Sequence, residues 1–162
     1  MQNHQRLQRL SGVLYWVALV LSVLLPIIVL VYAGQGVSDP ASLLSRAPLV
    51  PAGTPVTTTQ AGLVAAVALI SVLPMVAALR GMVRLFAAYR DGEVLSVGNA
   101  ETILRIGRNF LMVAAFTVLV PTLQVLILSW RAGQRMLSIG LDQGTLGFLL
   151  AAGLLTVIGW AM

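Results

Sequence analysis

"RLFAAYRDGEVLSVGNAETILRIGR", residues 84–108, decides how this chain is read. It holds four of the ten arginines and three of the five acids, and apolar sequence flanks it on both sides. The chain as a whole is 59% hydrophobic and only 9% charged. A soluble domain carries roughly 25% charged residues, and so sparse a charge cannot cover a water-facing surface. The stretch therefore reads as a polar connector between segments that belong in lipid, where a spanning helix needs about 20 apolar residues.

Working outward, the apolar run before it is 61–79 and the run after it is 110–130. Two more lie at 13–33 and 145–162, and none of the four contains a charged side chain. The first is too long for a signal-peptide core of about 7–15 residues and reads as a retained span. The expected fold is all-α: one transmembrane domain over 1–162, an integral membrane four-helix bundle. A helical elbow over 80–109 joins the second and third spans.

Charge distribution sets the expected orientation, because cytoplasmic loops carry the Arg/Lys excess. Arg6 and Arg9 precede the first span, and Arg80, Arg84, Arg90, Arg105 and Arg108 lie in the elbow. Arg46, Arg131 and Arg135 fall in the two loops on the other side. Seven against three places both termini and the elbow in the cytoplasm. The net charge of +5 is thus read as topology, and no direct nucleic-acid binding is expected. All ten basic residues are arginine, amid abundant Ala, Val, Leu and Gly. That composition suggests a GC-rich bacterial genome, hence the bacterial cytoplasmic (inner) membrane. The loop 34–58, with four prolines and three glycines, is expected to be an extended cap on the outer side.

Within the elbow, Met82, Leu85, Phe86 and Tyr89 recur at i, i+3, i+4 and i+7 and form one helical face. Asp91-Gly92 signals a turn. Ser96 is placed to cap the next helix, with Asn99 and Glu101 early in it. Glu101 and Arg105 are expected to pair at i, i+4. The elbow is the candidate docking surface for protein or anionic lipid, through Arg84, Tyr89, Gly92, Glu93, Asn99 and Arg105.

Inside the spans, Pro26, Pro74 and Pro121 are candidate kinks. Ser22-Val-Leu-Leu-Pro26 and Thr117-Val-Leu-Val-Pro121 match, and Ser71-Val-Leu-Pro74 is a shorter version, a hint of a duplicated hairpin. Gln124 is the one strongly polar side chain within a span, expected as a contact between helices. Gly62/Ala66, Gly140/Gly144 and Gly147/Ala151 have the small-xxx-small spacing that lets backbones approach. The last span, with Gly147 and Ala151, is the best candidate for tight packing, against this chain or another copy in a homo-oligomer.

The stretch "LFAAYRDGEVLSVGNAETILRIGRNFL" resembles the signature of the bacterial domain-of-unknown-function family 2975. That pattern runs Tyr-x-x-Gly-Glu, a hydrophobic pair, Ser/Thr, Asn, then Leu-Arg-x-Ile-Gly. It maps onto Tyr89, Gly92, Glu93, Val94, Leu95, Ser96, Asn99, Leu104, Arg105, Ile106 and Gly107. Val94-Leu95 stands where the family carries an Ile-Phe type pair. The resemblance implies a small four-span membrane protein with no assigned activity, in some cases encoded beside a small DNA-binding regulator.

Catalysis is not expected. The sequence has no cysteine, and its one histidine is His4. Ser-His-Asp triads and His or thiolate metal sites therefore lack their parts, and no phosphate-cradling glycine motif appears. No cofactor or metal is expected. The leading expectation is a non-enzymatic interaction protein: the partner of a cytoplasmic regulator, or an accessory subunit of a larger membrane complex. The alternative is a small transporter or pore-forming oligomer with a water path near Ser22, Ser71, Thr117 and Gln124.

Overall fold

The computed structural model describes residues 2–45, 50, 54–93, 96–130 and 143–161 (2–8 and 143 by backbone alone). Arg46, Arg131, Arg135, Gly140 and the Val94-Leu95 pair lie outside the described residues. The described residues form helices and no strands. Four are long: α1 (Gln2–Ser38), α3 (Thr58–Arg90), α4 (Val97–Ser129) and α5 (Gln143–Ala161). A single helical turn, α2 (Ser42–Ser45), follows α1. Each long helix is apolar enough over sufficient length to cross a membrane.

The helices overrun the apolar runs because caps, not polarity, end them. α1 continues through 34–38, a stretch expected to belong to an extended loop, and stops before Pro40. The residue preceding a proline is pushed out of the helical region, so the stop falls at Asp39. Two backbone bonds, Asp39 N–H to Gln35 O and Ser42 N–H to Asp39 O, then carry the chain round into α2. α3 opens with a capping box. The Thr57 hydroxyl accepts from the Gln60 backbone N–H, and the Gln60 side chain accepts from the Thr57 backbone N–H. Ser96 caps α4 by accepting from the Asn99 N–H.

The helices pack in chain order: α1 on α3, α3 on α4, α4 on α5. On α1 the buried positions Ser11, Ala18, Ser22 and Gly36 fall on a heptad seam of small residues. The two edge helices keep most of their apolar surface open, as Leu30 on α1 and Leu150 on α5 show. Between α3 and α4 there are two apolar clusters, one near each end. The first joins Ala61 and Val64 to Val125 and Leu128, roofed by Leu43 and Val50. There Gln60 also donates its side-chain amide to the Ile127 carbonyl at 2.9 Å. The second joins Ala78 and Leu85 to Ile103 and Ile106, with Met82 and Tyr89 packed against it.

α5 runs antiparallel to α4. Thr145 meets Thr117, hydroxyl to hydroxyl at 2.9 Å, and at the other end Gly159 meets Leu104. A Cβ on Gly159 would stand 2.6 Å from Leu104 Cγ and 3.2 Å from its backbone nitrogen, so only glycine fits. Gly147 is placed differently: nothing comes within 4 Å of where its Cβ would be. Within this chain the face of α5 that packs is Thr145, Ala152 and Gly159, which are buried, while Ala151 is half-buried.

Pro26, Pro74 and Pro121 lie inside α1, α3 and α4, each of which continues through its proline. The nearby hydroxyls bond one turn back. Ser22 donates to Leu19 O, Ser71 to Ala68 O and Thr117 to Ala114 O, each at 2.7 Å. They do not reach the carbonyls that the prolines leave free, since a proline frees the carbonyl four residues before it.

Candidate docking surface at the turn between α3 and α4

The turn is built by the local chemistry of residues 87–99. Asp91 ends α3, and Gly92 takes φ +91°, a left-handed conformation that favours glycine. Gly92 N–H then bonds Tyr89 O at 3.2 Å, and Glu93 N–H bonds Ala88 O at 2.9 Å. This is a Schellman closure, which satisfies the last carbonyls of the helix. On the far side, Asn99 is buried and donates its side-chain amide to the Glu93 carbonyl at 2.6 Å. The end of α3 and the start of α4 are thereby tied by hydrogen bonds.

The six candidate docking residues separate into two sets. Tyr89, Gly92 and Asn99 build the turn: Tyr89 packs on the cluster around Leu85, Gly92 supplies the conformation and Asn99 the tie. Arg84, Glu93 and Arg105 are exposed. No ion pair or hydrogen bond brings Arg84 and Arg105 together.

The expected Glu101–Arg105 pair is absent. Among the described residues the one ion pair is Arg90 with Asp91, at 3.7 Å. Glu101 and Arg105 are both exposed, and exposed pairs gain too little to hold two long side chains in one geometry. Arg105 instead shares a hollow with Arg108 and Trp160. The Arg90 guanidinium also lies 5.4 Å from the centre of the Tyr15 ring, a cation–π contact that links α1 to the end of α3.

Tyr15 and Trp160 are not singled out in the sequence, and Arg108 figures there only as one of the elbow charges. Arg108 could have been found from its i+3 spacing to Arg105, and Trp160 from the habit of tryptophan to sit at a membrane boundary. Tyr15 gave no such signal. Gln124 is half-buried and lines a hollow of about 250 Å³ between α1, α3 and α4, beside Ala65 and Leu128. Ser71 and Thr117 line a separate hollow on the face of Pro121.

No family model, no curated protein and no solved structure matches this chain.

Proposed function

We propose that this chain is a four-span protein of the bacterial cytoplasmic membrane that works by binding another protein. Both termini and the 80–109 elbow face the cytoplasm in this reading, and membership of the domain-of-unknown-function family 2975 is part of it. The lengths of the helices support insertion. α1, α3 and α4 are 37, 33 and 33 residues long. At 1.5 Å per residue each reaches roughly 50 Å, beyond a hydrocarbon core of about 30 Å, so the elbow ends project into headgroups and water.

The observation that carries the binding role is the locked turn. Hydrogen bonds at Gly92, Glu93 and Asn99 tie the end of α3 to the start of α4. Around it Arg84, Glu93 and Arg105 remain exposed, with no ion pair or hydrogen bond to their side chains among the described residues. A rigid charged surface loses little entropy when a partner binds. The partner is a cytoplasmic regulator, or a membrane complex of which this chain is an accessory subunit.

The test is purification from native membranes in mild detergent, with identification of what stays bound. A stoichiometric soluble partner that is lost in the Arg84→Glu/Arg105→Glu double variant establishes docking on the elbow. A membrane partner that survives the double variant establishes the accessory-subunit form. A partner-free homo-oligomer would overturn the interaction reading in favour of transport.

A further inference from the structure

The groove between α4 and α5 has no part in that docking surface except Arg105. On α4 it is walled by Leu104, Gly107, Arg108 and Leu111, which recur at i, i+3, i+4 and i+7 and so share one face. On α5 it is walled by Leu149, Ala152, Gly153 and Val157. The trench has a volume of about 560 Å³. Small residues let α4 and α5 approach closely along its floor. Gly107 lies against the Ala152 carbonyl, and a Cβ there would stand 3.3 Å from that oxygen.

At the end near the α3–α4 turn the trench runs into a second hollow of about 410 Å³, with which it shares Leu104 and Arg108. Arg105 and Trp160 complete this mouth, with Glu101 at its rim. The chemistry changes from one hollow to the next: the trench is mostly apolar, with Arg108 and Thr156 as its polar lining, and the mouth adds Arg105. Among the described residues neither Arg105 nor Arg108 has an ion pair or hydrogen bond. Glu101 offsets one of the two charges, so the mouth keeps a net positive charge. Trp160 is 83% exposed beside them. Its ring has an apolar body and one N–H donor, the combination that suits a headgroup boundary.

We infer that this groove is a binding site for an anionic phospholipid, with the phosphate at Arg105 and Arg108 and an acyl chain in the trench toward Leu149. The inference rests on the chain spanning a membrane as proposed above. Charge complementarity chooses the occupant. A free phosphate would use the mouth and leave the trench unfilled, and a zwitterionic lipid would bring a second cation toward two arginines. A second copy of the chain could cover both hollows, and the test below separates that outcome by cross-linking. Arginine presents a planar fork of donors that matches phosphate oxygens, and each basic group near an anionic lipid surface strengthens binding about fivefold.

Two full-length single-tryptophan forms provide the test. One keeps Trp160 (Trp16→Phe, Trp130→Phe) and the other keeps Trp16 on the opposite edge helix (Trp130→Phe, Trp160→Phe). Each is reconstituted in phosphatidylcholine bilayers, and quenching is titrated with brominated-chain phosphatidylglycerol or brominated-chain phosphatidylcholine. The expected result is a preference of about fivefold for phosphatidylglycerol at Trp160, since Glu101 offsets one of the two arginines, and none at Trp16. Arg105→Gln/Arg108→Gln should bring the Trp160 preference to near onefold. Gly153→Leu should also abolish it, because nothing lies within 4 Å of that Cβ position and the added side chain starts from the trench wall.

Equal quenching of Trp160 by both lipids would overturn the site while leaving membrane insertion intact. So would loss of the preference on adding millimolar inorganic phosphate, which would identify a free-anion site. Quenching of Trp16 but not Trp160, with cross-linking of two copies through α5, would assign the groove to a second chain. Quenching of neither tryptophan by either lipid would overturn the membrane reading itself, and the site with it.

Discussion

The Asn99 side chain donates back across the α3–α4 turn to the Glu93 carbonyl, at 2.6 Å, from a buried position. A side chain near the start of one helix thus fixes the residue that follows the end of the previous one. The turn is held by a contact six residues apart, in addition to the caps on either side of it.

Removing that donor should loosen the turn without altering its charge. Asn99→Ala removes the donor to the Glu93 carbonyl, a loss of about 0.5–1.5 kcal/mol. We expect faster amide exchange at 93 and 96–100 in detergent-solubilised protein, with α5 unaffected. Unchanged exchange in that segment would show that the Schellman closure and the Ser96 cap suffice alone.

The Thr117–Thr145 contact is a polar link between α4 and α5, at 2.9 Å. Thr117→Val and Thr145→Val should each destabilise, and the double variant should cost less than their sum. The coupling expected is about 0.6–1 kcal/mol, the usual range for hydroxyl bonds between membrane helices. A double-mutant cycle on unfolding in mixed micelles measures it, and purely additive effects would mean that the hydroxyls do not stabilise each other.

Position decides which glycines of α5 tolerate a side chain. Gly159→Val would drive its Cβ into Leu104 and should cost about 1–3 kcal/mol of overpacking. Gly147→Ala meets open space and should leave the stability of the single chain unchanged. The thermal midpoints of the two variants in detergent should therefore differ in that order. A shift in oligomer size with Gly147→Ala would reveal that this face packs on another copy.

The water-path alternative is tested through the absence of native cysteine. The Ser22, Ser71 and Thr117 hydroxyls are already bonded to backbone carbonyls of their own helices. We expect cysteines at these three positions to resist a charged thiol reagent. A cysteine at Gln124, beside the 250 Å³ hollow, should react with a small apolar maleimide but not with the charged reagent. Labelling of all four by the charged reagent would establish a continuous aqueous path.

Much of the helical layout was legible because its signals are local. Four apolar runs name four long helices, and the Asp91-Gly92 pair names the turn between α3 and α4. The boundaries were less legible. The periodicity of Met82, Leu85, Phe86 and Tyr89 carried α3 up to the Asp91-Gly92 turn, but the continuation of α1 to Ser38 lay beyond its apolar run, because a helix ends where its backbone is capped or blocked. The capping box of Thr57 and Gln60 was readable as Thr-x-x-Gln, but the reach of Gln60 to Ile127 was not, since it depends on how α3 and α4 pack.

The sequence by itself determined the class of this protein: scarce charge and long apolar runs leave helices with a water-avoiding surface as the available arrangement. It also determined the turn, through Gly92 and Ser96, whose conformational preferences act over one helical turn. Only the tertiary structure decided which surfaces meet. Small residues on α5 are too frequent for spacing to choose among them, and the rotation and register of the helix selected Gly159 over Gly147 as the contact with α4. The same register brought Trp160 beside Arg105 and Arg108, residues more than fifty positions away in the chain. A hollow shared by two helices is a property of their packing, and neither helix carries it alone.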